Sequence, residues 1–333
     1  MSAESVLAVD DLVVAFDTDE GELRAVDGVS FAVGKGKTLG IVGESGSGKS
    51  VTALAVLGLL PEPVGRIVRG QILFGGKDLA KESEASLQKV RGRHVAMIFQ
   101  EPMTALDPVQ RVGDQIAEGL RHHFGLSRAA AREKAIALLG KVGIPSPAER
   151  VDAYPHELSG GMRQRVMIAS AIACEPSVIL ADEPTTALDV TIQAQILALL
   201  DDLRRELGTS VVLITHDLGV VADVADDVVV MYAGRVVERA PKDALFAQPL
   251  HPYTRGLLES APGHAANAKK ARLPTIGGVV PDLRKLPAGC RFRDRCAFAI
   301  DRCAETDPPL ETRGDRAVAC LRADEIAAER GAA

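Results

Sequence analysis

Eight consecutive residues decide the fold, Gly43-Glu44-Ser45-Gly46-Ser47-Gly48-Lys49-Ser50. A pattern typical of a strand, residues 38–42, precedes them, and a helical pattern that runs to about residue 60 follows. Glycines let the backbone turn so that its N–H groups converge on a phosphate, and the helix adds the positive end of its dipole. In such a loop we expect Lys49 to neutralise the β- and γ-phosphates of a nucleotide and the Ser50 hydroxyl to bind Mg²⁺. The strand–loop–helix context argues against the alternative, a glycine-rich turn that matches by accident.

An acidic pair, Asp182-Glu183, follows the apolar run Val178–Ala181. A continuous apolar run is typical of a strand buried on both faces of a parallel sheet, and ligands bind at the carboxyl edge of such sheets. We therefore expect Asp182 to hold the magnesium shell and Glu183 to be the general base that polarises the attacking water. Taken alone, Asp-Glu-Pro after a strand is often only a helix cap. The glycine loop elsewhere in the chain favours the interpretation as a magnesium and hydrolysis site.

Strand and helix patterns alternate around these two motifs. Strand patterns occupy most of the first forty residues and recur at 71–74, 94–99, 178–181, 210–214, 228–232 and 235–238. One helical pattern begins after Ser127 and ends at Gly143, and another ends at Gly208. The predicted fold class is α/β, namely a P-loop nucleoside triphosphatase with a RecA-like parallel sheet and helices on both faces. An N-terminal antiparallel β subdomain, a helical subdomain at about 101–175 and a small cysteine-containing C-terminal extension complete the prediction.

Composition excludes several classes of function. Only 3% of the 333 residues are aromatic, too few for a platform that stacks single-stranded bases, and the net charge of −6 gives no basic field for nucleic acid. No apolar run approaches the ~20 residues of a membrane span, and the acidic N-terminus lacks the pattern of a signal peptide. We therefore expect a soluble cytoplasmic protein without a nucleic-acid partner.

A further motif narrows the class of nucleoside triphosphatase, Leu158-Ser159-Gly160-Gly161-Met162-Arg163-Gln164-Arg165. Ser159 and the N–H groups of the two glycines open a helix, which makes a second anion site away from the first. The motif resembles the signature of the ABC (ATP-binding cassette) ATPases. That resemblance implies that the motif caps the γ-phosphate held by an opposite subunit, so that two subunits share each active site.

Other residues match the same family. Gln100 resembles the Q-loop glutamine that senses Mg²⁺ and water, Ala187-Leu188-Asp189 resembles the D-loop, and His216 resembles the switch histidine on the γ-phosphate. Phe16 resembles the A-loop aromatic that stacks on adenine, although an ordinary core aromatic has the same residue type. The residues expected to contact nucleotide are Phe16, Gly43, Glu44, Ser45, Gly46, Ser47, Gly48, Lys49, Ser50, Val51, Ser159, Gly160, Gly161, Met162 and Asp189. Those expected to act in hydrolysis are Lys49, Gln100, Glu183 and His216. Those expected to bind Mg²⁺ are Ser50, Gln100 and Asp182.

Four stretches are similar to the ATPase subunits of dipeptide and oligopeptide permeases, the D-type subunit in particular: residues 100–108, Met162, residues 189–195 and residues 251–254. The resemblance implies an ATP-hydrolysing subunit that pairs with a second, non-identical ATPase at the cytoplasmic face of the inner membrane. Two transmembrane permease subunits and an extracytoplasmic substrate-binding protein complete the importer it implies. Nickel or glutathione importers of the same group remain alternatives, as does a soluble ABC ATPase that moves no solute. Assignment as a kinase or other P-loop transferase is less favoured, because it gives no explanation of the signature motif.

Four cysteines lie close together near the C-terminus, Cys290, Cys296, Cys303 and Cys320. Their spacing is not that of a zinc ribbon or a ferredoxin, and interleaved arginines at 291, 293, 295 and 302 would offset the charge of a metal–thiolate centre. The permease resemblance implies a [4Fe–4S] cluster; zinc and unligated thiols stay open. Cys174 is expected to be a packed apolar residue. The predicted domains are an ABC nucleotide-binding domain at 1–255 and the C-terminal extension at 256–333.

Overall fold

The computed structural model describes residues 5–186, 188–260 and 275–331. The strands of this part of the chain are β1 (Ser5–Thr18), β2 (Gly21–Gly34), β3 (Thr38–Val42), β4 (Gly65–Phe74), β5 (Lys77–Asp78), β6 (Val95–Ile98), β7 (Val178–Asp182), β8 (Ser210–Thr215), β9 (Asp227–Tyr232), β10 (Arg235–Pro241), β11 (Glu311–Arg313) and β12 (Arg316–Val318). Its helices are α1 (Lys49–Val56), α2 (Glu84–Val90), α3 (Pro102–Ala105), α4 (Val112–Phe124), α5 (Arg128–Lys141), α6 (Pro147–Arg150), α7 (Gly160–Ile172), α8 (Val190–Leu207), α9 (Leu218–Val224), α10 (Lys242–Ala247), α11 (Pro252–Ser260), α12 (Arg302–Glu305) and α13 (Ala323–Gly331). Short 3₁₀ turns occupy Leu79–Lys81, Pro155–Glu157 and Arg293–Arg295.

The larger sheet has the strand order β11-β12-β10-β9-β3-β8-β7-β6, and its segment from β9 to β6 is parallel. Every residue of β3, β7 and β8 is buried, as expected for strands covered on both faces. Because neighbouring parallel strands end at the same edge, the loops that follow β3, β8, β7 and β6 lie side by side. The predicted α/β fold is confirmed, and this edge carries the candidate site.

The smaller sheet is antiparallel, with the order β2-β1-β4-β5. Its apolar face shares one core with the helix α1 and the central strands, in which Leu7, Val26, Ile41 and Ile72 are fully or almost fully buried. The predicted antiparallel subdomain is therefore confirmed. Helix α1 ends at Val56, earlier than the expected residue 60, because Gly58 takes a left-handed φ of 61° that stops the helix.

The helical region between β6 and β7 packs α4, α5 and α7 around a second core. Ser127 caps α5 by accepting a hydrogen bond from the Ala130 N–H, as the sequence predicts, and Gly208 ends α8 with a φ of 64°. In the described part of the chain, no helix combines the length and the apolar character that a membrane span requires.

The C-terminal extension adds to the central sheet, which the sequence analysis did not foresee. Strand β12 pairs with β10 and β11 pairs with β12, each antiparallel. An aromatic cluster of Tyr232, Tyr253 and Phe292, with ring centroids 4.7–5.4 Å apart, fixes the extension on this end of the sheet. Helix α11 spans the predicted boundary at 255/256, and that boundary stays a prediction.

A fully buried carboxylate joins three parts of this region. Glu238 of β10 is 0% exposed and accepts hydrogen bonds from the N–H groups of Leu250 (2.8 Å) and His251 (2.9 Å). The Arg316 guanidinium of β12 lies 3.0 Å from the same carboxylate. A buried charge is tolerated only when it is paired and hydrogen-bonded, so Glu238 ties β12 and the 250–254 segment to the sheet.

We expect Glu238→Ala to lower the free energy of unfolding by about 3 kcal/mol, because it leaves Arg316 buried without its partner. Glu206→Ala is the matched control: Glu206 pairs with Lys141 at 2.9 Å on the surface and is 63% exposed. That change should cost less than about 1 kcal/mol. Urea unfolding of both variants measures the difference. Equal losses of unfolding free energy would contradict the stabilising role of the buried Glu238–Arg316 pair.

Candidate active site

The phosphate loop is built on close backbone approaches that only glycine permits. Gly48 has a φ of 97°, and a Cβ at this position would lie 2.6 Å from the Ala25 carbonyl oxygen. A Cβ at Gly43 would lie 2.2 Å from the Met231 carbonyl oxygen. The loop thus rests against β2 and β9, and its shape depends on the glycines that the sequence analysis singled out.

Lys49 lies inside this loop and is only 5% exposed. Its ammonium donates to the carbonyl oxygens of Gly43 (2.7 Å) and Glu44 (3.0 Å) and lies 3.3 Å from the Ser47 hydroxyl. Burial lowers the pKa of Lys49, while the nearby carboxylates of Glu183 and Asp182 oppose that shift. The ammonium is thus held inside the loop by the carbonyl oxygens of the two residues that begin it.

Oxygen ligands suited to Mg²⁺ come together beside the loop. The Ser50 hydroxyl donates to Asp182 Oδ1 at 3.0 Å, across 132 positions of sequence. Burial, together with the charge of Glu183, raises the pKa of Asp182 from its ordinary value, and the Ser50 hydrogen bond opposes this. A hydroxyl and a carboxylate side by side fit Mg²⁺, which takes hard oxygen ligands and keeps several waters.

Glu183 receives hydrogen bonds from three other parts of the chain. Its carboxylate accepts from Thr186 Oγ1 (2.7 Å) and Gln100 Nε2 (3.1 Å), and His216 Nδ1 lies 3.3 Å from Oε1. Burial raises the pKa of this carboxyl, but the hydrogen bonds from Thr186 and His216 outweigh it, so the net pKa is lowered. Glu183 is thus ionised near neutral pH, the state that a general base needs.

The backbone holds Glu183 in an uncommon conformation. Its φ is 44°, in the left-handed region, and its N–H donates to the Ile214 carbonyl oxygen of β8 at 2.8 Å. This turn directs the residue after β7 toward β8 and His216. The strand ends therefore bring together three of the predicted hydrolytic residues, Gln100, Glu183 and His216, beside Lys49.

The signature residues form the start of helix α7. Ser159 caps α7, its hydroxyl accepting from the Met162 N–H at 3.4 Å, and Ser159 and Gly160 are exposed. In the described ranges no hydrogen bond or ion pair joins residues 159–162 to residues 43–50. Asp189 is an exposed cap of α8 that accepts from the Ile192 N–H at 2.9 Å. Ala187 of the predicted D-loop lies outside the described residues.

Two predicted nucleotide contacts sit at the margins of a core. Phe16 of β1 is half-buried, pairs with Leu23 and Gly65 on the neighbouring strands, and packs against the core of the smaller sheet. Val51 of α1 packs partly buried against the same core. The adenine contact of Phe16 and the phosphate contact of Val51 stay predictions.

The four clustered cysteines line one small apolar cavity of about 20 Å³, together with Phe292 and Phe298. Burial raises the pKa of Cys290 and of Cys320 to about 11, and raises that of Cys296 as well. However, among the described residues no three His, Cys, Asp or Glu side chains are grouped to hold one metal ion. Neither the [4Fe–4S] cluster nor the zinc alternative is therefore confirmed. Cys174 is buried elsewhere, as expected.

Sequence reasoning missed three contacts of the site. Thr186 donates to Glu183, the Tyr253 hydroxyl accepts from the Glu44 N–H at 2.8 Å, and Arg295 pairs with the Glu44 carboxylate at 2.6 Å. Tyr253 is 209 positions from Glu44 and Arg295 is 251 positions away, so no local pattern could reveal either contact. The His-Pro-Tyr-Thr segment at 251–254 was a signal of relatedness but not of this role.

The fold and this edge of the sheet define a P-loop nucleoside triphosphatase, with its signature residues at the exposed start of α7. The sequence profile of the ABC transporter family matches residues 26–186, and that of the oligopeptide/dipeptide transporter C-terminal region matches residues 237–303. The chain belongs to the ABC transporter family, as one of its ATP-hydrolysing subunits.

Relatives and solved structures agree with this assignment. A probable peptide ABC transporter ATP-binding protein of Sinorhizobium fredii is 53% identical over 97% of both chains. The oligopeptide transport ATP-binding protein OppD of Bacillus subtilis is 53% identical over 92% of this chain and 85% of its own. The dipeptide transport ATP-binding protein DppD of the same organism is 51% identical over 94% of this chain and 92% of its own.

Among solved structures, a dimeric bacterial ABC transporter cassette matches with a TM-score of 0.64 at 26% identity, over 71% of this chain and 98% of that one. The cbiO1 component of an ABC transporter complex from Clostridium perfringens matches with a TM-score of 0.62 at 29% identity, over 73% of this chain and 91% of that one.

We expect Glu183→Gln to retain ATP binding and to lower the rate of hydrolysis by at least about 100-fold, because the amide cannot accept the proton of the attacking water. Phosphate release and equilibrium ATP binding measure the two effects separately. Glu206→Gln, an exposed change of the same kind, is the control. Normal hydrolysis by the Glu183 variant would refute the assigned base.

Proposed function

We propose that this chain is the ATPase that energises an importer of dipeptides or oligopeptides. The observation that carries the proposal is the match of residues 237–303 to the C-terminal region of oligopeptide/dipeptide transporters. The names of relatives that are 50–53% identical over nearly the whole chain support it. Residues 1–255 form the nucleotide-binding domain in this proposal, and 256–333 form the extension.

In the proposed mechanism, ATP is held between two subunits. Lys49 and the loop N–H groups bind the β- and γ-phosphates. Ser50, Asp182 and Gln100 would hold Mg²⁺, which would supply positive charge beside the phosphates. Glu183 takes a proton from the attacking water while His216 stabilises the γ-phosphate. The exposed position of Ser159 at the start of α7 supports a role on the partner's nucleotide instead of its own.

The surface of the helical region supports membrane partners. A groove of about 420 Å³ lies between β6 and α7, and Phe99, Leu106 and Gln115 are among its lining residues. Its apolar floor and polar rim suit a short helix of another subunit. In the proposed complex one of two transmembrane permease subunits docks in this groove. A second, non-identical ATPase lies at the nucleotide, and an extracytoplasmic substrate-binding protein lies on the far side of the membrane. The chain then sits at the cytoplasmic face of the inner membrane.

Uptake of labelled peptides by cells that lack their own copy of this gene tests the cargo. Cells given the wild-type chain should accumulate peptide, and cells given Glu183→Gln should not. Uptake of nickel or glutathione in place of peptide would contradict the proposed cargo but would leave the ATPase function of the chain unchanged. Co-purification of the chain with ribosomes or DNA, without integral membrane subunits, would contradict the proposal that it serves an importer.

We also propose that the four cysteines hold a [4Fe–4S] cluster with a structural role. All four line one apolar cavity, which supports this. In such a cluster each thiolate binds a different iron, so the ligands need not crowd around a single ion. The Arg293 and Arg322 side chains, which also line the cavity, would offset the negative charge of the centre.

Metal analysis of the anaerobically purified chain tests the cluster. We expect about four irons per chain and an absorbance band at about 400 nm. Cys303→Ser should lose most of the iron, whereas Cys174→Ser, at a cysteine outside the group, should keep it. One zinc per chain, or no metal at all, would contradict the proposal.

A further inference from the structure

The phosphate loop carries a carboxylate that ought to oppose its function. Glu44 is the second residue of the loop, and its backbone carbonyl accepts a hydrogen bond from the Lys49 ammonium. Its side chain is 31% exposed, so water screens its charge only in part. A free negative charge at this position would repel the phosphates of ATP. The loop therefore requires a cation that neutralises Glu44.

Arg295 of the C-terminal extension meets this requirement. Its guanidinium makes two parallel hydrogen bonds to the Glu44 carboxylate, at 2.6 and 2.9 Å. The arginine side chain is only 4% exposed, and its Nε also donates to the Gly277 carbonyl oxygen at 2.9 Å. The guanidinium carbon lies 5.7 Å from the centre of the Tyr232 ring. Its geometry is fixed from several sides, as a strong bidentate pair requires.

A residue just before the extension also holds the backbone of Glu44. The Tyr253 hydroxyl accepts a hydrogen bond from the Glu44 N–H at 2.8 Å, and the Tyr253 N–H donates one to His251 Nδ1 at 3.0 Å. His251 is fixed in turn by the buried Glu238 carboxylate. One loop residue is thus held at its main chain and at its side chain by residues that lie beyond position 250. No other residue of the described loop has a side-chain hydrogen bond from the extension.

We propose that Arg295 is a positioning residue for ATP binding, which neutralises Glu44 and fixes the start of the phosphate loop. Through this pair the C-terminal extension sets the affinity of the site for ATP. The inference rests on ATP binding by this family and is independent of the cargo. It is also independent of the metal, because the pair is formed by protein groups alone.

Equilibrium binding of MgATP to the full chain tests the inference. Arg295→Met should raise the Kd by a factor on the order of ten, within the usual range of coupling between sites. Adding Glu44→Gln to Arg295→Met removes the unpaired charge and should recover most of that loss. Arg284→Met is the matched control, since Arg284 pairs with Glu20 on the surface and also joins the extension to the rest of the chain. Its Kd should equal that of the wild type.

The rescue separates this role from a merely structural one. If Arg295 only stabilised the fold of the extension, removing the charge of Glu44 would not restore binding, and a double variant as weak as Arg295→Met overturns the proposal. If Arg295→Met does not fold, Arg295→Gln with and without Glu44→Gln gives the same comparison, because glutamine removes the positive charge and still offers N–H donors to its neighbours. Failure of the wild type to bind MgATP would refute the ATPase function; equal binding by wild type and variant refutes only this inference.

Discussion

The order of four neighbouring parallel strands is the constraint on which the site depends. Strands β3, β8, β7 and β6 lie side by side, and each contributes its chemistry immediately after its last residues. The glycine loop follows β3, His216 follows β8, the two carboxylates stand at the end of β7, and Gln100 follows β6. A strand that is buried on both faces cannot slip along its neighbours without exposing apolar residues. The packing of the sheet thereby sets the distances between groups far apart in sequence.

Electrostatic balance is the second requirement of this edge. Three carboxylates, those of Glu44, Asp182 and Glu183, stand around a loop that must accept a triphosphate. Each carboxylate has different partners. Asp182 accepts a hydrogen bond from the Ser50 hydroxyl, and Glu44 pairs with the Arg295 guanidinium. Glu183 is contacted by the side chains of Thr186, Gln100 and His216. The opposed directions of the Asp182 and Glu183 pKa values follow from these partners and from burial. Local environment thus gives adjacent acids different properties.

Much of the fold and of the site could be predicted, because their signals are local. The glycine loop, the apolar run before Asp182, and the caps at Ser127 and Gly208 each specify structure within a few residues. Pairings over long distances could not be predicted from one sequence. Strands β11 and β12 have three residues each, too few for a periodic pattern, and they exist because the edge of β10 is available to pair. The contacts of Glu44 with Tyr253 and Arg295 belong to the same class.

The left-handed backbone at Glu183 has a consequence for how stability is distributed. A side chain at a positive φ costs of the order of 1–3 kcal/mol, a cost that glycine does not carry. The turn nevertheless places a glutamate there, because its carboxylate must reach the groups that follow β6 and β8. A glycine in its place would relax the main chain and leave the pocket without its acid. Tight folding and the proposed role as general base therefore favour different residues at this one position, and the native sequence has the acid.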